Sequence, residues 1–541
     1  MSMELLKVNI QPAELLDTDE RLEDGRYSLI LSPKGEEIVE LAEVSAVFRF
    51  DFEKDDALFL NGFQSWTYSP ERNRNQFDKA MRFVPRALDR KYGFSQYGDG
   101  YFSDPVHRKE LRAGYKKGWS YAYVRRGERY ALFASLAEDT GFTRIVLNTA
   151  DGTVTFQKDC RGRFLAPGER YTALDVIFPE GEEQEVFDRW FGLMGVQALP
   201  AEPKIGYTSW YNCYQNISEA QILRDLEGMK TLPVKPHIFQ IDDGFEPFVG
   251  DWLTVNPEKF PNGLEPIIEK ILAEGYQAGV WLAPFVAERD SAVYREHPEW
   301  FQYREGQRIF TGANWSGGFA LDPFHPEVRD YIRKSIERFK AMGVTLFKLD
   351  FLYAACMTSR PDKTRGEIMA ESMDFLREVC GDAQILGCGV PLASAFGKVE
   401  YCRIGPDMSL DYDDKLFMRA FHNERPSTLH TQRNTLYRRQ LDGRAFLNDP
   451  DVFLLREENT TLTEEQKHTL AVANALFGSV LFGSDDFGAY DEKKRRLFVA
   501  LCALQRAKVL SVQNGPLTEK LRPVVVRYEL DGEEKAIELK L

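Results

Sequence analysis

The feature that most constrains the fold is a series of eight short apolar segments that alternate with helical segments from residue 204 onward. The segments read IGYTSWY, HIFQID, AGVWLAPF, VTLFKLD, QILGCGV, YCRIG, RAFLND and SVLFGSDD. Such alternation is typical of βα units around a parallel sheet, and about eight units close a (β/α)8 barrel within ~250 to 300 residues. A doubly wound sheet is the alternative, but no glycine-rich phosphate loop follows the first segment. The pattern therefore favours a TIM barrel.

The helical segments carry start and stop signals of their own. Ser218 with Gln221 and Thr463 with Gln466 fit capping boxes. A further helix is predicted from Pro326, and its apolar stripe consists of Val328, Ile332, Ile336 and Phe339.

The regions on either side of the barrel show the alternating pattern of antiparallel strands. Before residue 200 the chain reads RYSLILSP, EVSAVFRFDF and TRIVLNTADGTVTFQ, with a hairpin signal at Asp151-Gly152. Near the other end, VVVRYELDGEEKAIELKL contains a second such signal at Asp531-Gly532. We predict an N-terminal β-sandwich over 1–200, a catalytic barrel over 201–508 and a small C-terminal antiparallel β module over 509–541.

Charge and composition exclude several classes of partner. The chain has 541 residues with 69 basic and 84 acidic side chains, a net charge of −15, which argues against nucleic acid and anionic membranes as partners. No stretch approaches the ~20 apolar residues of a membrane helix, and MSMELLKVNI lacks the pattern of a signal peptide. The seven cysteines form no CxxC pair. We expect a soluble, cytoplasmic protein with a neutral substrate.

Polar residues collect at the predicted carboxyl ends of the barrel strands, where the sites of TIM barrels lie. In chain order they are Asp242, Asp243, Trp281, Lys348, Asp350, Cys388, Arg403, Asp407, Asp449, Asp451, Asp485 and Asp486. Several carboxylates that converge on one rim without a matching excess of cations indicate a functional site.

Two of these carboxylates suggest a reaction. Lys348 and Asp350 lie two apart on a strand and share a face, so the ammonium is expected to lower the pKa of Asp350 and keep it an anionic nucleophile. Asp407 follows Pro406 and is placed to serve as the proton donor across the barrel mouth. Such a pair is glycosidase chemistry, retaining at about 5 to 5.5 Å separation and inverting at about 6.5 to 9.5 Å. An inert barrel salt bridge and a loop-capping aspartate explain the same residues.

Large aromatic residues recur beside Gly, Asn or Ser in predicted loops. They lie in NGFQSWTY (61–68), TSWYNCY (208–214) and GANWSGG (312–318). Such aromatics serve either as flat binding platforms or as anchors that hold the loop.

A series of motifs gives the chain a family resemblance. In order they are QSW (64–66), SWY (209–211), FQIDD (239–243), WLAPF (281–285), FKLDF (347–351), GCGVP (387–391), RIGPD (403–407) and LNDPD (447–451). Together they resemble glycoside hydrolase family 36, the melibiase-type α-galactosidases, and especially its shorter bacterial members. The family commonly has a tryptophan a few residues beyond the acid/base, where this chain has Tyr412 as the nearest aromatic.

The resemblance implies a retaining exo-α-galactosidase that acts on oligosaccharides such as melibiose and raffinose without a metal or organic cofactor. It implies that Asp350 is the nucleophile and Asp407 the acid/base, and that Asp242 and Asp243 bind the 4- and 6-hydroxyls of galactose. Lys348 would reach the sugar hydroxyls. The remaining residues that it implies around the subsite are Trp66, Trp210, Tyr211, Trp281, Cys388 and Arg403. The short C-terminal module leaves the oligomeric state open, a homo-oligomer included.

Other activities stay open on the sequence alone. An α-N-acetylgalactosaminidase would need room for a 2-acetamido group, against which Trp281 and Cys388 argue. An α-galactosyl transglycosylase would share the nucleophile and differ in its acceptor. A non-catalytic sugar-binding protein on the same scaffold and an aldolase with a Schiff base on Lys348 are the alternatives from other classes.

Overall fold

The computed structural model of the protein describes residues 3–76, 114–413, 424–517 and 521–541. Its first region is built from short antiparallel strands. They are β1 Leu5–Gln11, β2 Leu16–Glu23, β3 Arg26–Pro33, β4 Val39–Glu40, β5 Glu43–Arg49, β6 Ala57–Leu60, β7 Tyr115–Trp119, β8 Tyr121–Arg126, β9 Arg129–Ser135, β10 Thr143–Asn148, β11 Thr153–Lys158, β12 Phe164–Leu165, β13 Tyr171–Ile177 and β14 Glu180–Glu182. Helix α1, Glu183–Met194, follows them.

Two of the sheets in this region face each other. One has the order β1-β5-β11-β10-β7, and the other has the order β2-β3-β13-β9-β8-β6 with β14 beside β9. Alternate residues of both sheets point inward, so that the ring of Tyr27 on β3 meets the ring of Phe48 on β5 edge-on at 5.3 Å. The predicted β-sandwich is confirmed, and the signal at Asp151-Gly152 lies in the hairpin between β10 and β11.

The central region contains the parallel strands of the predicted barrel and a small insertion. The strands are β15 Lys204–Thr208, β16 Ile238–Ile241, β17 Gln277–Leu282, β18 Val286–Glu288, β19 Tyr303–Arg304, β20 Gln307–Arg308, β21 Phe310–Gly312, β22 Gly318–Ala320, β23 Leu346–Leu349, β24 Gln384–Gly387, β25 Tyr401–Arg403, β26 Leu447–Asp449, β27 Val452–Phe453 and β28 Val480–Gly483.

Nine of these strands form one closed parallel sheet. Its order is β26-β25-β24-β23-β17-β16-β15-β28-β27. Pro450 separates β26 from β27, and because β26 pairs with β25 while β27 pairs with β28, the two pieces act as one interrupted strand that closes the ring. The eight-stranded barrel is therefore confirmed. All four residues of β16, β23 and β28 are buried, which is why these parallel strands appear in the sequence as continuous apolar runs.

Helices connect the barrel strands. They are α2 Trp210–Cys213, α3 Glu219–Met229, α4 Glu265–Ala273, α5 Ala292–Glu296, α6 Pro326–Ala341, α7 Arg365–Cys380, α8 Thr428–Tyr437, α9 Glu464–Phe477 and α10 Glu492–Leu504. The predicted stripe of α6 is buried as expected. Thr463 and Gln466 form a complete capping box, whereas Ser218 only accepts from the backbone N–H of Gln221.

The insertion between β17 and α6 was not predicted. It contains the three-stranded sheet β18-β22-β21, whose strands have three residues each, and the pair β19 and β20. Strands this short show no period of apolar residues that a sequence pattern can reveal.

The last region is a three-stranded antiparallel sheet of β29 Lys508–Asn514, β30 Pro523–Leu530 and β31 Glu533–Lys540. Asp531 and Gly532 have φ of +55° and +81°, the left-handed values of a tight two-residue hairpin. The predicted C-terminal β module is confirmed, while the domain limits at 200 and 508 stay predictions. In the described part of the chain, no helix combines the length and the apolar character needed to cross a bilayer.

Candidate active site

The carboxyl ends of three barrel strands form the floor of a cavity of about 320 Å³. The side chains of this floor are Asp242, Asp243, Trp281, Lys348 and Asp350. Asp242 and Asp243 follow β16, Trp281 lies on β17, and Lys348 and Asp350 lie at the end of β23. Side chains that are distant in sequence thus meet because parallel strands end at one rim.

Lys348 forms an ion pair inside the floor. Its Nζ lies 2.9 Å from Oδ2 of Asp242, and both side chains are almost fully buried. The same oxygen accepts hydrogen bonds from Gln240 Nε2 at 2.7 Å and Thr208 Oγ1 at 3.1 Å. Burial lowers the pKa of Lys348, but the negative charges around it, first Asp242 and then Asp350, together outweigh this effect, so that the pKa is raised and the ammonium is held. A protonated lysine is unsuited to Schiff-base chemistry.

Asp350 is buried and is oriented by two N–H donors. Trp281 Nε1 donates to its Oδ2 at 3.0 Å, and the backbone N–H of Phe351 donates to its Oδ1 at 2.8 Å. Burial raises the pKa of Asp350, and the nearby charge of Lys348 offsets this only in part. The expected lowering of the pKa is therefore wrong, because burial outweighs the charge of Lys348, whose ammonium is hydrogen-bonded to Asp242 rather than to its neighbour in sequence.

Asp407 lines the same cavity as Asp350 but has different partners. Its side chain is 35% exposed, and its Oδ1 lies 2.8 Å from Nη1 of Arg403. Arg403 is buried and also pairs with Asp449 at 3.3 Å and Asp451 at 2.7 Å. Three carboxylates thus hold one guanidinium, and this guanidinium fixes the orientation of Asp407.

Three of the expected subsite residues lie one layer behind the cavity wall. Arg403 supports Asp407 as described, and Tyr211 donates its hydroxyl proton to Oδ2 of Asp451 at 2.5 Å. The thiol of Cys388 is fully buried and accepts from Nε1 of Trp66 at 3.2 Å. Their contacts make them supports for the residues that face the cavity.

Trp66 brings the N-terminal region into the cavity wall. Its ring packs edge-on against Phe351 at 4.8 Å and Tyr353 at 5.6 Å. Gly389 lies beneath this contact with φ +58°, and a Cβ at this position would approach the Trp66 ring to 2.9 Å. The second glycine of the GCGVP motif therefore leaves room for the tryptophan.

The loop that carries Trp66 is held from below by Arg438, which immediately follows α8. The guanidinium donates to Asn61 Oδ1 at 3.0 Å, to the carbonyl of Ser65 at 2.5 Å and to Ser69 Oγ at 2.9 Å. Arg438 is fully buried, and burial lowers its pKa to about 10. The N-terminal loop is thus fastened to the barrel by a buried cation with several hydrogen bonds.

The rim contains residues that the sequence did not assign to the site. Trp210, which was expected, lies there together with Thr311, Gly312, Ala313, Asn314, Trp315, Phe351, Tyr353, Glu424 and Pro426. Trp315 lies in the turn between β21 and β22 with φ +57°, and its Nε1 donates to Oδ2 of Asp243 at 2.8 Å. The motif GANWSGG had marked this tryptophan as a platform or an anchor; the hydrogen bond to the floor makes it an anchor, and the binding platform stays a prediction. Tyr412 is buried and bonds Gln432 at 2.9 Å.

One group of described side chains has donor atoms close enough to hold a metal ion. His297, Glu299 and Glu327 place one donor atom each within 4.8 Å of one another. None of the three lines the cavity, so this group takes no part in the chemistry considered below.

Known proteins that are similar to this chain include α-galactosidases. The Melibiase family profile matches residues 203–367, the part of the barrel from β15 to the start of α7. TtGalA, an α-galactosidase from Thermus thermophilus, superposes with a TM-score of 0.72 at 25% sequence identity and covers 96% of this chain and 98% of that chain. The chain is a relative of the glycoside hydrolase family 36 α-galactosidases.

Two further comparisons set the extent of the likeness. The family 36 α-galactosidase AgaA from Geobacillus stearothermophilus shares the fold, with a TM-score of 0.61 at 14% identity over 93% of this chain and 70% of that chain. "Probable alpha-galactosidase C" from Aspergillus flavus is 24% identical over 355 residues, which are 60% of this chain and 44% of that protein. The chain thus spans less than half the length of this curated relative.

Proposed function

We propose that the protein is a retaining exo-α-galactosidase that hydrolyses terminal α-galactosyl residues of oligosaccharides of the melibiose and raffinose type. The observation that carries this proposal is a single cavity into which both Asp350 and Asp407 open, above a floor of further fixed carboxylates. The relative TtGalA has been solved with p-nitrophenyl α-D-galactopyranoside and with stachyose, which supports the same substrate class here. The chemistry needs neither a metal nor an organic cofactor.

In the first step Asp350 is the nucleophile. Its carboxylate attacks the anomeric carbon, the bond from that carbon to the glycosidic oxygen breaks, and the carboxyl group of Asp407 gives its proton to the leaving oxygen. The N–H groups of Trp281 and Phe351 fix both oxygens of Asp350 before the reaction. This preorganisation removes the cost of orienting the nucleophile at the moment of attack.

In the second step a water molecule attacks the covalent galactosyl intermediate. Asp407, now a carboxylate, takes a proton from the water as the bond between Asp350 and the sugar breaks. Two displacements give α-galactose from an α-galactoside. The hydrogen bond from Arg403 Nη1 to Oδ1 of Asp407 keeps the same carboxyl group in position for both proton transfers.

Selectivity for galactose is assigned to Asp242 and Asp243. Galactose differs from glucose in its axial 4-hydroxyl, and a carboxylate offers strong acceptors to a hydroxyl at one fixed position. Asp242 cannot turn away, because Lys348, Gln240 and Thr208 hold its Oδ2. A sugar that leaves such acceptors without a donor is strongly rejected.

The deciding experiment measures hydrolysis of p-nitrophenyl α-D-galactopyranoside beside the α-glucoside and the α-N-acetylgalactosaminide, with proton NMR of the first sugar anomer released. We expect fast release from the galactoside alone, as the α-anomer. Release of the β-anomer would refute retention. Activity on none of the three would refute the enzyme proposal and favour a sugar-binding protein.

A cytoplasmic location is also part of the proposal. All seven cysteines are free, and six of them are buried, an arrangement compatible with a reducing compartment. Fractionation of cells that express the protein, with an antibody against it, tests the location.

A further inference from the structure

Asp243 differs from its neighbour Asp242 in the charge of its partners. Gln215 Nε2 donates to both of its oxygens at 3.2 and 3.3 Å, and Trp315 Nε1 donates to Oδ2 at 2.8 Å. All of these donors are neutral. Within the described ranges Asp243 has no ion pair, whereas Asp242 is paired with Lys348.

A second carboxyl group lies against Asp243. Glu246 follows three residues later, is 3% exposed, and its side chain is within hydrogen-bonding reach of the Asp243 carboxyl. The Oε2 of Glu246 accepts from the backbone N–H of Gly244 at 3.3 Å, while no N–H or O–H donor of the described residues reaches the buried Oε1.

The turn forces this contact. Gly244 has φ +118°, and a Cβ there would come within 2.6 Å of the carbonyl oxygen of Gln215. The chain after β16 therefore turns tightly against Gln215, and the backbone N–H of Gly244 within this turn donates to Glu246. Only glycine fits both the dihedral angle and the space.

The charged groups around the pair do not neutralise it. From the same turn Asp242 adds a negative charge, and Lys348 on β23 is bonded to Asp242. Lys259 donates to the carbonyl oxygens of Gln215 and Gly244 at 2.6 and 3.1 Å. The loop between β21 and β22 contributes the neutral indole of Trp315.

Two buried carboxyl groups in contact, without a cation of their own, cannot both ionise at neutral pH. We propose that Glu246 is a positioning residue that retains a proton and donates it to Asp243, so that the two groups meet the sugar as a single anion with one fixed orientation. This inference rests on the proposed function, in which Asp243 accepts from a sugar hydroxyl. Burial and the charge of Asp243 both raise the pKa of Glu246 well above its usual value, in agreement with a retained proton.

The shared proton has a consequence for binding. When Glu246 ionises at alkaline pH, two anions stand side by side, and their repulsion moves Asp243 away from the position that its neutral donors define. Binding of a neutral sugar then weakens. Asp350 and Asp407, which carry the reaction, are separate groups, so the change falls on KM rather than on kcat.

The test compares wild type with Glu246→Gln and Glu246→Ala through the dissociation constant of D-galactose, measured by calorimetry from neutral to alkaline pH. Glutamine keeps an N–H donor toward Asp243 and does not titrate. The dissociation constant of galactose from Glu246→Gln should therefore stay within about twofold of wild type at neutral pH and should not rise at alkaline pH. Galactose binding by wild type should weaken about tenfold as Glu246 loses its proton. Glu246→Ala should bind galactose about tenfold more weakly than wild type at neutral pH, and it should do so at every pH. The proposal would be overturned if Glu246→Gln and Glu246→Ala had equal dissociation constants for galactose, or if the constant of Glu246→Gln still rose at alkaline pH.

A second measurement does not depend on sugar binding. The infrared difference spectrum between wild type and Glu246→Gln should contain the carbonyl stretch of a protonated carboxylic acid at neutral pH, and this band should disappear at alkaline pH. Absence of the band at neutral pH refutes the shared proton even if galactose binds. If the band is present but wild type neither binds galactose nor cleaves galactosides, the proposed function fails and the inference for sugar binding fails with it, while the proton assignment stands.

Discussion

The two sides of the cavity hold their carboxylates in opposite ways. On the β23 side, Asp350 is buried and held by neutral N–H groups, and burial raises its pKa. On the β25 side, Asp407 is partly exposed and held by the guanidinium of Arg403, which two further aspartates secure. A weakly solvated carboxylate is a better nucleophile, whereas a group that gives and takes a proton needs access to water and a stable position. The difference in environment thus matches the difference between the two proposed roles, Asp350 as nucleophile and Asp407 as acid/base.

The largest effect is expected when Asp350, the proposed nucleophile, is removed. Asp350→Ala should lower kcat on an aryl α-galactoside by about 10⁴-fold or more, because no other group can form the covalent intermediate. Added azide should restore part of the rate and give β-galactosyl azide. A folded variant, as judged by its thermal transition, that azide does not rescue at all would count against this role for Asp350.

The second largest effect is expected when Arg403, the cation that holds Asp407, is removed. Arg403→Met leaves Asp407, Asp449 and Asp451 without their shared partner, and it should lower the free energy of unfolding by about 3 to 5 kcal/mol. Urea denaturation measures this change. Arg403→Lys is the matched control; it keeps a charge but lacks the geometry to meet three carboxylates, and its loss should be smaller. Equal stability of Arg403→Met and wild type would mean that the network contributes nothing to the fold.

A smaller effect is expected when one N–H donor to Asp350 is removed and Asp350 itself is kept. Trp281→Phe deletes the N–H donor that lowers the pKa of Asp350, so this pKa should rise further above its ordinary value. The acidic limb of kcat/KM, where Asp350 takes up a proton as the pH falls, should then move to higher pH. We expect about a tenfold loss of kcat/KM on the pH plateau.

Trp315→Phe is the control for that experiment. It removes an indole N–H of the same kind from Asp243 instead of Asp350. It should raise KM and leave the acidic limb in place. A shift of the limb in both variants would show that the limb does not report Asp350.

The smallest effect concerns the wall that the two sides share. Trp66→Phe keeps an aromatic ring against Phe351 and Tyr353 but loses the N–H donated to the thiol of Cys388. Sulfur is a weak acceptor, so KM should change by about twofold, or ~0.4 kcal/mol. A tenfold change in KM on this substitution would show that the thiol contact fixes the ring rather than merely accompanying it.

The barrel and its floor were predictable because buried parallel strands give continuous apolar runs and end at a common rim. The partner of Lys348 was not predictable in this way. Asp350 is two residues away in sequence, whereas Asp242 is 106 residues away and approaches only when the ring closes. Sequence spacing indicates which side chains share a face, but it does not indicate which of two nearby carboxylates a flexible ammonium will reach.

The rim was less predictable for another reason. Trp315 is held on strands of three residues, and Glu424 and Pro426 precede α8 outside any periodic pattern. The signal for Trp315 was an aromatic between small polar residues, which does not say toward which element the loop folds. The hydrogen bond to Asp243 supplies that answer.

The contact between Arg438 and the loop of Trp66 also sets an order of events during synthesis. Asn61 and Arg438 are separated by 377 residues, so a ribosome that adds about 5 to 20 residues per second makes the arginine roughly 20 to 75 s after the loop. A nascent chain that ends before this residue already contains Asp350 and Asp407, but it lacks the buried cation that holds the loop of Trp66 from below. The wall of the cavity is therefore completed late, after both of the proposed reacting groups have been made.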